Sequence, residues 1–124
     1  MDSLISLYYP STNVEFELIV KQLYKTFPIK YFTKPYFCAL TNQEYARRIA
    51  FERANWSNKT KSVHILRFLM QSSKIAKYAK CALDNPQATI MVPQKYLQEL
   101  NSNLIGYIEC IEKVDLINET NQIA

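Results

Sequence analysis

Few residues of this 124-residue chain could do acid–base or nucleophilic chemistry. His64 is the only histidine, and such a side chain could act as a base near neutral pH. The cysteines, Cys38, Cys81 and Cys110, are widely spaced and form no C-x-x-C pair. Gly106 is the only glycine, so a glycine-rich phosphate loop cannot form. We therefore predict no catalytic residue, no metal site and no cofactor, and we interpret the cysteines as buried, reduced thiols.

Charged residues near the C-terminus could be compared with a metal-dependent nuclease site, namely Asp84, Glu109, Glu112 and Lys113. On a strand, however, Glu109 and Glu112 would point to opposite faces and could not share an ion. We interpret these residues as solvated edges of an acidic C-terminal third. The sequence therefore favours a protein that is not an enzyme.

The distribution of charge is the strongest functional signal. Residues 21–82 hold 13 lysines and arginines against two glutamates, whereas the segments on either side are acidic. The formal net charge of +4 thus conceals a strongly basic middle. A basic surface can neutralise phosphates and release their counterions, which favours nucleic acid as a partner.

The basic middle predicts a face shared by two helices, over 42–56 and 62–83. At 100° per residue, Arg67, Lys74 and Lys77 would lie together on the second helix, opposite its apolar stripe. Short polar residues join the two helices, which also permits a helix-turn-helix. The predicted nucleic-acid-binding residues are Arg47, Arg48, Arg53, Lys59, Lys61, Arg67, Lys74 and Lys77.

The same face carries apolar residues, so a protein partner is the alternative to DNA or RNA. Its contact surface would be Leu66, Met70 and Tyr78, as in an interaction module, an assembly component or an inhibitor. Trp56, at a helix end beside the basic linker, is a candidate for base stacking. Binding that weakens steeply with salt would distinguish nucleic acid from an apolar protein interface.

Helix and strand signals along the chain predict where these residues lie. Thr12–Glu15 and Thr41–Glu44 read as capping boxes that open helices over 13–27 and 42–56. Strands are predicted over 4–9, 29–33, 36–40 and 88–92, and a short helix runs from Pro93 to Leu100. The segment 104–114 permits a strand or a helix, and its alternation favours the strand.

Together these elements predict an α+β domain over residues 1–124, with a small antiparallel or mixed sheet of four to five strands and three main helices. No apolar run is long enough to cross a membrane, and the acidic N-terminus does not resemble a secretion signal. We therefore expect a cytoplasmic protein in a reducing compartment. Abundant Ile, Lys, Asn, Tyr and Phe are typical of an AT-rich genome, such as that of a virus or mobile element.

Overall fold

The computed structural model describes residues 3–29, 35–56, 62–80 and 89–115, and for residues 53–56, 79–80 and 115 it describes the backbone alone. Along the chain, the strands are β1 (Leu4–Thr12), β2 (Tyr36–Leu40), β3 (Ser62–Gln71), β4 (Ala79–Lys80), β5 (Thr89–Pro93) and β6 (Ile105–Asp115). The helices are α1 (Asn13–Lys21), α2 (Gln43–Trp56), α3 (Ser72–Ile75) and α4 (Leu97–Ser102), with a 3₁₀ turn over Gln94–Tyr96.

One antiparallel sheet joins the strands in the order β4-β5-β2-β1-β3-β6. β1 and β3 pair along their whole length, from Leu4 opposite Gln71 to Thr12 opposite Val63. Five strands have five or more residues, and β4 has two. The predicted α+β class with an antiparallel sheet is therefore confirmed.

Helices cover both faces of the sheet. Successive side chains of a strand point to opposite faces, so one strand can contribute to both apolar clusters. On one face, Leu66 and Phe68 of β3 pack with Ile19 of α1 and with Leu97 and Leu100 of α4. On the other face, Val63 and Ile65 of β3 pack with Ala46 and Ala50 of α2. β3 is thus buried on both sides, and its apolar residues need not alternate with polar ones.

This burial explains why the predicted helix over 62–83 is wrong. Residues 62–71 form β3, 72–75 form the single-turn α3, and 79–80 form β4, while 81–83 lie outside the described residues. A mostly apolar segment, here interrupted by His64 and Arg67, has no clear period of two, so it fits a helical wheel and a doubly buried strand equally well. Its β-branched and aromatic members, Val63, Ile65 and Phe68, favour the strand.

The two predicted helix starts have different outcomes. Thr12 caps α1, and its Oγ1 accepts the Glu15 N–H at 3.2 Å while Glu15 Oε1 accepts the Thr12 N–H at 3.1 Å, so this capping box is confirmed. At α2 the prediction is one residue early. Asn42 Oδ1, rather than Thr41, accepts the Tyr45 N–H, at 2.9 Å.

α1 is shorter than the predicted helix over 13–27, because it ends at Lys21. Leu23 and Tyr24 then take left-handed φ angles of 58° and 60°. Farther on, Phe27 exchanges two hydrogen bonds with the Asn101 side chain, at 2.8 and 3.0 Å. This tertiary contact draws the chain away from the helical path.

The strand alternative for residues 104–114 is confirmed by β6, and the short helix after Pro93 is confirmed by the 3₁₀ turn and α4. β6 leaves regular register twice, between Ile65 and Leu66 and between Arg67 and Leu69 of β3. Gly106 lies in the second irregularity with a φ of 75°, which other residues rarely adopt. The predicted strand over 29–33 lies outside the described residues apart from Ile29.

Candidate nucleic-acid interface

A cleft lined by three tyrosines opens near the β4–β5 edge of the sheet. Its volume is about 510 Å³, within the usual range for a small-ligand pocket. We call it the tyrosine cleft, and its lining residues are Tyr36, Lys77, Tyr78, Met91, Pro93, Tyr96 and Glu99. Tyr36 and Tyr96 are 43% and 40% exposed, so both rings present surface to a ligand. Tyr78 is buried and forms part of the wall.

Strand pairing brings these residues together from four separate parts of the chain. Tyr36 opens β2 opposite Pro93, which ends β5. The Gln94 N–H donates to the Pro35 carbonyl oxygen at 2.9 Å and holds the 3₁₀ turn of Tyr96 beside β2. Pairing of β4 with β5 places Ala79 opposite Met91, so the turn that carries Lys77 and Tyr78 lies against the same edge.

Described lysines lie in and beside the tyrosine cleft. Lys77 forms an ion pair with Glu99, and its Nζ lies 5.8 Å from the centre of the Tyr78 ring. Lys95 Nζ lies 5.1 Å from the centre of the Tyr96 ring. The hydrogen bond from Lys77 lowers the pKa of Glu99, and the charge of Lys74 lowers it further. Lys77 and Lys74 thus both act on Glu99, and Lys95 lies beside Tyr96, so the described residues bring three lysines to this part of the molecule.

Glu99 also accepts a hydrogen bond from the Tyr78 hydroxyl, at 3.4 Å. Burial, the negative charge of Glu99 and this hydrogen bond raise the pKa of Tyr78 to about 12. Tyr78 therefore remains a neutral phenol near neutral pH. It contributes a ring wall to the cleft, its hydroxyl proton is donated to Glu99, and it adds no negative charge that would oppose a phosphate.

The basic face predicted from the sequence does not form, because Arg67 lies on β3 while Lys74 and Lys77 lie on α3 and the turn after it. Arg67 Nη2 pairs with Glu109 of β6 at 3.0 Å, and Arg47 Nε of α2 pairs with Glu112 of β6 at 2.9 Å. These arginines join α2 and β3 to the edge strand instead of lining the cleft.

The other predicted cations are distributed as follows. Arg48 is exposed on α2, away from the residues that line the cleft. Arg53 and Trp56 belong to the same helix, but the structure describes only their backbone. Lys59 and Lys61 lie outside the described residues. Of the predicted nucleic-acid-binding residues that the structure describes, Lys77 lines the tyrosine cleft, and Lys74 acts on Glu99 in its lining.

The predicted protein-contact surface is corrected by burial. Leu66 and Met70 are fully buried, and Tyr78 is 9% exposed. All three belong to the apolar cluster that also contains Phe68 and Ile108. Leu66 and Met70 cannot meet a partner in this fold, because the segment placed on a solvated helix face is an inner strand. Tyr78, in the turn after α3, is accessible only as part of the cleft wall.

The histidine and the cysteines differ in their burial. His64 is buried in β3, whereas Cys110 is exposed on β6 and Cys38 is half-buried on β2, so the expectation of buried thiols is wrong for Cys110. Cys81 lies outside the described residues. Within residues 3–29, 35–56, 62–80 and 89–115, no three His, Cys, Asp or Glu side chains form a group that could hold a metal ion.

Tyr96, Met91 and Glu99 are cleft residues that sequence reasoning did not identify. Each lies in or beside an element whose existence was predicted, but no periodic pattern connects them. Their proximity arises from the pairing of β5 with β2 and β4. The one local signal is the Lys95-Tyr96 pair, a cation beside an aromatic ring.

In the described part of the chain, no helix is both long enough and apolar enough to span a membrane. Comparison of the chain with protein-family models, with curated proteins and with solved structures finds no match.

Proposed function

We propose that this protein binds single-stranded nucleic acid in the tyrosine cleft. One observation carries the proposal: two partly exposed tyrosine rings, Tyr36 and Tyr96, line the same cavity as Lys77, and Lys95 lies beside Tyr96. Aromatic rings stack on the faces of bases, which only an unpaired strand presents. Lysines meet the phosphates that follow each base. The cleft offers both kinds of contact at once.

Two rings at one cleft support recognition by stacking. Stacking of a base on an aromatic side chain contributes roughly 1–3 kcal/mol and tolerates every base. The cleft volume of about 510 Å³ is suited to one or two nucleotides rather than to a duplex. We therefore expect weak sequence preference, with discrimination against double-stranded DNA.

The lysines support salt-sensitive binding. Lys77 is paired with Glu99, and an incoming phosphate would compete with that carboxylate for the ammonium group. Both side chains are partly exposed, at 45% and 41%, so the existing ion pair contributes little stability and is easily exchanged. Lys95, beside Tyr96, can contact the phosphate of a base stacked on that ring.

Fluorescence anisotropy with labelled single-stranded DNA, single-stranded RNA and duplex DNA, measured over a series of salt concentrations, tests the proposal. Wild-type protein should bind the single strands more tightly than the duplex, with affinity that falls as salt rises. Lys77→Gln should weaken binding to every sequence and reduce the salt slope by about 0.7, the value for one phosphate contact on a single strand.

Lys21→Gln provides the matched control, because Lys21 is exposed on α1 and lines no part of the cleft. It removes the same charge and should leave the slope nearly unchanged. Equal effects of the two substitutions would mean that binding follows net charge rather than the cleft. Absence of salt-sensitive binding to both single strands would reject nucleic acid as the partner and favour a protein partner.

A further inference from the structure

A cysteine, a histidine and an asparagine meet on one face of the sheet, away from the tyrosine cleft. Cys110 Sγ lies 3.8 Å from His64 Nδ1, and His64 Nε2 lies 2.8 Å from Asn13 Oδ1. The residues come from three elements, β6, β3 and the first turn of α1. A nucleophile, a base and a group that orients the base are the three parts of a thiol-based catalytic site.

The hydrogen bonds of Asn13 fix the imidazole tautomer. Asn13 Oδ1 can only accept, so His64 Nε2 must carry the ring proton that it donates. Ser62 Oγ donates to the same oxygen at 2.9 Å and holds the amide in place. His64 Nδ1 is therefore left with a free lone pair, and it faces the Cys110 thiol.

Packing holds the histidine ring rigidly. His64 stacks on Phe16 of α1, with ring centres 4.1 Å apart and planes 15° from parallel. His64 is 9% exposed, whereas Cys110 is exposed at the sheet edge. The base is thus held in the protein while the nucleophile faces solvent. Orientation of this kind speeds a reaction of the thiol, because the base is already in place when the substrate arrives.

The register of β6 is responsible for this approach. Cys110 is opposite Leu66 and Glu112 is opposite Ile65, so Ile111 is an extra residue on β6. The bulge places Cys110 on the same face as His64, diagonal to it, while Lys113 is directly opposite His64. In its resting position the thiol can also donate to the Glu112 carbonyl oxygen, 3.7 Å away.

An open, partly apolar pocket of about 570 Å³ adjoins the thiol, and its lining includes Cys110, Leu23, Tyr24 and Tyr107. Leu23 and Tyr24 adopt left-handed φ angles without being glycine, and the Tyr24 carbonyl oxygen accepts the Ile108 N–H at 2.7 Å. Backbone strain of this kind is common beside functional sites. The contact fixes one wall of the pocket against β6.

We propose that Cys110, His64 and Asn13 form a second site, at which Cys110 is acylated by esters or thioesters with an apolar or aromatic acyl group. The pocket beside Cys110 would hold the acyl group, and Leu23 and Tyr107, which are 66% and 64% exposed, supply its apolar surface. Cys110 and His64 are the catalytic residues, and Asn13 is a positioning residue.

In the acylation step, Cys110 Sγ forms a bond with the carbonyl carbon while its proton moves to His64 Nδ1. The carbonyl electrons move to oxygen and return as the bond to the leaving group breaks, and His64 gives its proton to that group. Water then attacks the thioester, with His64 Nδ1 as base, and the thiol is regenerated. The net reaction is hydrolysis of the ester or thioester.

Before a substrate reacts, the Cys110 thiol and the His64 imidazole are both uncharged. Burial, and then the charge of Lys113, lower the pKa of His64, and burial raises the pKa of Cys110. The proton therefore leaves the thiol as the S–C bond forms rather than beforehand. Cys110 is therefore not a preformed thiolate, and its reaction depends on His64 as the base rather than on a low thiol pKa.

Incubation of the full chain with p-nitrophenyl butanoate tests this site through p-nitrophenol release and the mass of the protein. Wild-type protein should gain one butanoyl group on Cys110, located by peptide mapping, and should hydrolyse it. Cys110→Ser should lose the adduct, whereas Cys38→Ala should react like wild type. His64→Gln should slow acylation by about 100-fold, as expected for loss of a general base.

Asn13 provides a test that does not depend on removing the buried histidine. Asn13→Ala removes the acceptor for His64 Nε2 and should slow acylation, whereas Asn13→Asp retains an acceptor oxygen and should restore most of the rate. Equal rates for both Asn13 variants and for wild type would overturn the proposal. It would also be overturned if Cys110 reacted no faster than free cysteine.

Discussion

Several side chains in this protein have roles that depend on their partners rather than on their type. Lys77 and Arg67 are both cations from the basic middle of the sequence, and both are paired with a carboxylate. Lys77 borders the tyrosine cleft, whereas Arg67 ties two strands together. Sequence identifies the charge of each residue, but the fold decides whether that charge is available to a ligand.

His64 should make stability depend on pH. Its folded pKa is lowered from 6.5, so below that value the unfolded chain binds a proton that the folded chain does not. The stabilising contribution of neutral His64 should therefore be fully present above about pH 7. The free energy of unfolding should fall as the pH drops through 6.5 toward the lowered pKa, by at most about 1.4 kcal/mol per pH unit.

Urea unfolding of wild type and His64→Gln, at pH values from about 8 to about 5, measures this contribution. Carboxylates titrate in both proteins, so the difference between the two slopes isolates His64. The variant should be less stable at neutral pH, because it loses the ring that stacks on Phe16, but its pH dependence should be flatter. Parallel curves would mean that burial does not perturb this histidine.

At the scale of elements, helix starts follow local hydrogen bonds. Asn42 Oδ1 accepts the Tyr45 N–H, so Asn42→Ala should reduce the free energy of unfolding by about 1 kcal/mol. Asn42→Asp retains the accepting oxygen and should keep most of the stability. Chemical denaturation of the three proteins provides the comparison. If both variants unfolded at the wild-type midpoint, the Asn42 side chain would contribute nothing to α2.

Elements whose signal is local were predictable from the sequence. The Thr12–Glu15 capping box placed the start of α1, and the short helix predicted from Pro93 to Leu100 corresponds to the 3₁₀ turn and α4, which begin one residue later, at Gln94. β3 was not predictable from periodicity, because burial on both faces removes the alternation that identifies a strand. The end of α1 depends on contacts between Phe27 and Asn101, which are far apart in sequence.

At the scale of the whole molecule, the described residues form one sheet with an apolar cluster on each face. Met70 belongs to the cluster between the sheet and α1 and α4, and it is fully buried. Met70→Ala should destabilise the protein by about 2–5 kcal/mol, because it leaves a cavity. Leu4→Ala, at a half-exposed strand end, should change stability by less than about 0.5 kcal/mol.

Thermal or urea unfolding of the two variants tests the placement of β3. A small effect of Met70→Ala, comparable with that of Leu4→Ala, would indicate that Met70 lies on a surface, as the helical interpretation required. The two arrangements cannot both hold, because a residue on a solvated helix face creates no cavity when it is truncated.

The candidate site was only partly accessible from the sequence. The basic middle drew attention to Lys74 and Lys77, since charge is read directly from residue types, and their role in binding stays a prediction. The tyrosine cleft itself depends on which strands are neighbours. Tyr36 and Tyr96 are 60 positions apart in sequence, and the pairing of β2 with β5 brings their segments together. No local pattern encodes that proximity.

The central claim is that exposed tyrosine rings in the cleft stack on unpaired bases, and one substitution pair tests it directly. Tyr96→Leu removes the ring but keeps an apolar side chain, whereas Tyr96→Phe keeps the ring and removes the hydroxyl. In anisotropy titrations with single-stranded oligonucleotides, Tyr96→Phe should bind like wild type. Tyr96→Leu should weaken binding by about 5- to 150-fold, the equivalent of roughly 1–3 kcal/mol. If both variants bound single strands as tightly as wild type, the stacking account of this cleft would be contradicted.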